Sequence, residues 1–125
     1  MATILVVDDE EAIRNILSRI LASAGHRMIE AADAEAALEA LDREKPDLAF
    51  VDLIMPGKGG LSLIMESLYK VPNLAIVAMS GRIPLQGESL SGFSHQFGIT
   101  CYLEKPFTPE TVREAVRKAL VGSCA

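Results

Sequence analysis

Five times along the chain a short, unbroken apolar run gives way to residues apolar at every third or fourth position, and that alternation leaves few folds open. The first run is Ile4, Leu5, Val6 and Val7, apolar at successive positions as a strand covered on both faces requires. Ile13, Ile16, Leu17, Ile20 and Leu21 then recur on one helical face, which Gly25 closes. Residues 27–31 make a weaker second strand. Asp33 is placed to cap a second helix running through Arg43, with Ala37, Leu38 and Leu41 inward, before Pro46 breaks the pattern. Residues 48–51 form the third strand, and Leu61, Ile64, Met65 and Leu68 mark a third helix after a glycine-rich turn. Residues 74–79 and 100–103 are the fourth and fifth strands. Thr108 and Pro109 stand at the N-cap and first turn of a last helix carrying Val112, Val116, Ala119 and Leu120. Pro84, Gly87 and Gly92 interrupt the stretch between these two strands, so irregular chain is expected over 82–89 and a short helix over 90–97, with Leu90, Phe93 and Phe97 inward.

Strand followed by helix, repeated, demands right-handed crossovers between parallel strands. The expected class is therefore α/β, a doubly wound five-stranded parallel sheet with helices on both faces. A chain of 125 residues has room for one domain and can bury roughly two-thirds of its unfolded surface without staples. With 17 acidic against 12 basic side chains, a formal net charge of −5 and scattered cations, the surface repels a phosphate backbone; direct nucleic-acid binding is not expected. The apolar runs are far short of the ~18 residues of a membrane span, and acidic residues from Asp8 onward leave no secretory signal, so a cytoplasmic protein without membrane contact is expected. Cys101 and Cys124 lack metal-ligand spacing and read as a reduced core thiol and a thiol in the tail. His26 and His95 stand apart from the strand ends and read as surface or locally hydrogen-bonded residues.

In such sheets ligands gather at the carboxyl ends of the strands. Those positions hold Asp8 and Asp9 after the first strand, Asp52 after the third, Ser80 after the fourth and Lys105 after the fifth. Read singly, Asp8 and Asp9 could cap the following helix, Ser80 could bond local backbone, and Lys105 before Pro106 is ordinary. Asp52 is harder to dismiss, because a carboxylate closing Leu48, Ala49, Phe50 and Val51 needs a cation or a donor to offset its burial. Carboxylates at adjacent strand ends would repel by roughly 4 kcal/mol per pair at close range and intermediate dielectric, which a divalent cation would relieve. Oxygen ligands without histidine or cysteine fit Mg²⁺ or Mn²⁺, and such ions suit phosphoryl chemistry.

With these residues in view, the chain resembles the receiver domain of two-component response regulators over residues 3–121. The resemblance is carried by Asp8-Asp9, Asp52 followed by Met55-Pro56-Gly57 and Gly60, the segment Ala78-Met79-Ser80-Gly81, Tyr102, and Lys105-Pro106-Phe107. It implies a flavodoxin-like receiver fold, one receiver domain over 1–125, and a phosphorylation-dependent switch that accepts a phosphoryl group on Asp52. It further implies that Asp9, Asp52 and the backbone carbonyl of Ile54 ligate Mg²⁺ or Mn²⁺, with Asp8 acting through water. Ser80 would be the switch hydroxyl, Lys105 would bond the phosphoryl group, Tyr102 would follow the switch, and the Lys105-Pro106 bond would be cis. Ile54 and Arg82 occupy the two positions that modulate phosphoryl lifetime in the family. The implied donor is a sensor histidine kinase or histidine phosphotransfer protein, in a phosphorelay or simpler pathway. The output is an unidentified downstream protein that reads the surface of the fourth helix, fifth strand and last helix. Such a domain is a regulatory phosphoacceptor and not an enzyme, although it takes part in its own phosphoryl transfer and dephosphorylation.

Two rival readings are weaker on the same residues. A phosphoaspartyl hydrolase would need a carboxylate two positions after the nucleophile, where Ile54 stands. A binding module that had lost phosphorylation would lack the acceptor, the acidic pair or the lysine, and all are present.

Overall fold

The computed structural model describes residues 1–55, 57, 59–81 and 97–122. Along the chain these form β1 (Thr3–Val7), α1 (Glu11–Ser23), β2 (Arg27–Ala31), α2 (Ala34–Glu44), β3 (Leu48–Asp52), α3 (Gly60–Lys70), β4 (Ala75–Ser80), β5 (Cys101–Glu104) and α4 (Pro109–Leu120). The strands pair in parallel in the order β2-β1-β3-β4-β5. The doubly wound sheet expected from the alternation is present. The expectations for 82–96, including the irregular stretch, all of the short helix but Phe97, and the places of Arg82 and His95, lie outside the described residues.

Strand side chains alternate between two cores. Ile4, Val6, Leu48, Phe50, Val77, Met79 and Leu103 pack against Leu17 and Leu21 of α1 and Val112 and Val116 of α4. Their neighbours Leu5, Val7, Ala49, Val51, Ile76 and Ala78 face Ala37 and Leu41 of α2 and Leu63 and Ile64 of α3, with Phe97 packed at the margin. Full burial of side chains this size contributes roughly 1.5–3 kcal/mol each, and both faces are covered, which is why the strands read as unbroken apolar runs.

Helix ends follow local chemistry. Asp33 caps α2 by accepting the Ala36 N–H at 2.8 Å. Thr108 and Thr111 exchange side-chain and backbone bonds in a capping box at the start of α4, with Pro109 in the first turn. Three helical assignments need correction: Ile16, Met65 and Leu120, expected inward, are largely exposed. Each sits beside a buried neighbour, Leu17, Ile64 and Ala119, and a helix lying on a sheet covers only one stripe, so the residue one step round the helix falls outside it. The ladder also carries β3 to Asp52 and β4 to Ser80, one residue past the apolar runs, pairing Asp52 with Met79 and Ser80 with Glu104. Cys101 is in the core as expected; Cys124 lies outside the described residues. His26 has a local role, its Nδ1 accepting the Ala2 N–H at 3.1 Å.

Candidate functional site

From β1 the chain continues to the edge strand β2, whereas from β3 it continues through β4 to β5 on the other side. The carboxyl ends of β1 and β3 therefore flank the point where the strand order reverses, the place where doubly wound sheets bind ligands. Asp8 leaves β1 there and Asp52 closes β3.

Every polar atom of Asp8, which is wholly buried, has a partner. Its N–H donates to the Ala31 carbonyl at 3.2 Å, and its Oδ1 accepts the Glu10 N–H at 2.9 Å. Its own carbonyl accepts from Arg14 Nη1 at 2.8 Å, and its Oδ2 accepts from Lys105 Nζ at 2.7 Å. The capping alternative for the acidic pair does not hold, because the N-cap of α1 is Glu10, whose side chain makes no cap bond. Asp9, next in the chain, is exposed. Asp52 is almost fully buried; its Oδ1 accepts the Ile54 N–H at 3.1 Å and its Oδ2 accepts from Lys105 Nζ at 3.3 Å. Oxygens of Asp8, Asp9 and Asp52 lie within 4.8 Å of one another.

One ammonium thus bonds two of these carboxylates, Asp8 and Asp52, and lies 3.9 Å from Glu10 Oε1. Burial pushes the Asp52 carboxyl above its ordinary value, the nearby Asp8 charge adds to the rise, and the Ile54 N–H and Lys105 oppose it. For Lys105, burial favours the neutral amine, but the bond and charge of Asp8, joined by Asp52, outweigh it and raise the ammonium's pKa. The donors are hard oxygens, with no imidazole or thiolate in the cluster, which suits a hard divalent cation that keeps several waters.

Of the other expected residues, Ser80 and Ile54 adjoin this centre through their backbones. Ser80 is buried at the end of β4, and its carbonyl accepts the Lys105 N–H at 2.7 Å, tying hydroxyl and lysine positions together through the backbone. Lys105-Pro106 is cis. Tyr102, on β5, is half-buried against the core on the α2 and α3 side. Ile54 touches the site through its N–H, while the residue as a whole is 77% exposed.

Two residues passed over at this site in the sequence emerge from the geometry. Arg14 holds the Asp8 carbonyl; the available signal was a long cation at the start of α1, where side chains point back toward the N-terminus. Gly60 was only part of a motif, yet a Cβ there would lie 2.2 Å from the Asp52 carbonyl oxygen and 2.6 Å from the Leu53 Cα. Only glycine lets α3 start this close to the end of β3.

The sequence matches the family described as the response regulator receiver domain over residues 4–117. The chain belongs to that family. Receiver domains are phosphorylation-dependent signalling switches of two-component systems, and this receiver domain has the family's sheet and acidic cluster. It is 29% identical over 119 residues to sporulation initiation phosphotransferase F of Bacillus subtilis, covering 94% of this chain and 92% of the relative. It is 35% identical over 117 residues to the probable transcriptional regulator ycf27 of Porphyridium aerugineum, covering 94% of this chain but only 47% of that protein. The receiver domain thus spans about half the length of some relatives and nearly all of others. Among solved structures, chemotaxis protein CheY4 of Vibrio cholerae superposes with a TM-score of 0.85 at 26% identity, covering 95% of this chain and 98% of that one. The receiver domain of NtrX from Brucella abortus gives 0.82 at 32% identity, covering 96% and 99%. No helix among the described residues is long and apolar enough to cross a membrane.

Proposed function

We propose that Asp52 is the phosphoacceptor of this receiver domain and that residues 1–125 act as one cytoplasmic switch unit. The observation that carries the reading is the convergence of Asp8, Asp9 and Asp52 within 4.8 Å at the strand-order reversal, with Lys105 Nζ bonded to two of them. An Asp52 oxygen attacks the phosphorus of a phosphohistidine on a sensor kinase or phosphotransfer protein. The new P–O bond forms as the P–N bond breaks, and the leaving imidazole takes up a proton. Asp9, Asp52 and the Ile54 carbonyl would hold Mg²⁺ or Mn²⁺, with Asp8 acting through water. Bound there, the ion offsets negative charge on the transferred oxygens. Lys105 moves its ammonium from Asp52 to the phosphoryl group, and Ser80 donates its hydroxyl to the same group. Tyr102 follows that closure and biases the surface of β5 and α4 toward a downstream protein partner, without direct contact to nucleic acid. Dephosphorylation is attack by water on the phosphorus, which releases phosphate and restores the Asp52 carboxylate. Ile54 and Arg82 set its rate.

Intact-mass spectrometry after incubation with acetyl phosphate and Mg²⁺ tests the reading. A single phosphoryl adduct is expected, lost on chelation and absent from Asp52→Ala. Undiminished labelling of Asp52→Ala, or of the parent in excess chelator, rejects it.

A further inference from the structure

Arg14 has no part in the chemistry above, yet it is tied to the acidic cluster more closely than any other residue of α1. Its side chain is only 12% exposed. Nη1 donates to the Asp8 carbonyl at 2.8 Å, while Nε donates to Glu30 Oε1 on β2, also at 2.8 Å. The Asp8 carbonyl belongs to the same planar peptide as the Asp9 N–H, so whatever holds that oxygen fixes the rotation at which Asp9 leaves the strand. Asp9 is exposed and has no burial of its own to orient it.

We propose that Arg14, aimed by Glu30, is a positioning residue that locks the Asp8–Asp9 peptide and so presets both carboxylates for a divalent cation. The proposal rests on the phosphoacceptor reading of Asp52. Two donors on different edges of one rigid guanidinium make the lock, which a lysine could reproduce only in part. Glu30 is more than half exposed, so its ion pair with Arg14 adds little to stability. Loss of the lock should therefore appear in metal affinity and not in folding.

The test uses the whole chain, with Mn²⁺ binding followed by calorimetry in the absence of any phosphodonor, and urea denaturation followed in chelator. Arg14→Met is expected to weaken Mn²⁺ binding about tenfold, the usual loss when an outer partner of a metal ligand is removed. Arg14→Lys should regain part of it, and Glu30→Gln should fall between parent and Arg14→Met. Denaturation midpoints should stay near the parent's, and acetyl phosphate labelling at saturating Mn²⁺ should approach the parental rate. Mn²⁺ affinity within twofold of the parent in Arg14→Met overturns the proposal. So does an affinity loss matched by a falling denaturation midpoint, which marks general loosening. If Arg14→Met does not fold, Arg14→Lys decides by the same two criteria. A parent chain that takes no label at Asp52 overturns the phosphoacceptor reading itself, whereas a parent that labels while its Arg14 variants bind Mn²⁺ normally overturns only the role of Arg14.

Discussion

Ser80 closes the strand beside that of Asp52 and Ile54 follows Asp52 in the chain, but one is buried and the other exposed, and their substitutions should act on different steps. In Ser80→Ala the acceptor and its lysine are untouched, so phosphorylation should proceed. What is lost is one charge-assisted bond, worth about 1.5–3 kcal/mol. Carrying a two-state element from 1:99 to 99:1 takes about 5.5 kcal/mol, so a partial switch remains. Chemical shifts at Tyr102 on adding a phosphate mimic should move less than in the parent. Ile54→Asn should instead shorten the life of the phosphoryl group, since an amide at that position can hold a water in line while an alkyl chain cannot. Loss of radiolabel from purified phosphoprotein in Mg²⁺ checks this, and decay no faster than the parent's counts against it. At this scale the acids and the lysine were legible because a charge closing an apolar run must be offset by an opposite charge, a hydrogen-bond donor or a ligand. Arg14 was not, because the carbonyl it holds has no sequence signature.

At the scale of elements the alternation of apolar runs and stripes was informative because a sheet covered on both faces leaves no polar position inside its strands. Boundaries shifted by a residue wherever ladder pairing outran hydrophobicity, as at Asp52 and Ser80. Ile16, Met65 and Leu120 were misassigned because residues on the margin of a stripe carry the same apolar signal as those at its centre. The junctions make sharper predictions. Thr108→Ala removes the bond from the Thr111 N–H to Thr108 Oγ1, leaving only the reciprocal half of the capping box, and should cost about 1 kcal/mol, read as a lower urea midpoint with phosphorylation intact. Gly60→Ala forces a methyl group into the Asp52 carbonyl and the Leu53 backbone, which cannot yield as a flexible side chain would. A loss of about 1–3 kcal/mol is expected, together with slower phosphorylation, because relief of the clash moves the acceptor strand end. Full stability with a parental labelling rate would show that α3 can back away at no cost to the site.

Across the whole molecule the two halves of the sheet are joined at the site by charges that do not balance, and this makes stability depend on pH and on metal in opposite ways. The folded Asp52 carboxyl titrates above its unfolded value of 3.8. Its ionised form is therefore disfavoured by folding, a cost absent below that value and fully present once pH exceeds the folded pKa. Lys105 has the opposite sign: its folded pKa lies above 10.5, so its contribution is complete below that value and lost as pH rises through the folded pKa. Asp52→Asn removes the first cost. In chelator at neutral pH the variant should melt at a higher temperature than the parent, and the gap should close as pH falls through the carboxylate range. Added Mg²⁺ should stabilise the parent by about 1.4 kcal/mol at tenfold excess over its dissociation constant. Asp52→Asn, with one carboxylate ligand gone, should gain much less, so the two melting curves should converge or cross as Mg²⁺ is raised. Scanning calorimetry of parent and variant with and without Mg²⁺ measures all four states. A variant less stable than the parent in chelator at neutral pH would mean that the Lys105 pairing outweighs the burial of Asp52. Equal Mg²⁺ increments in both would remove Asp52 from the metal's ligands.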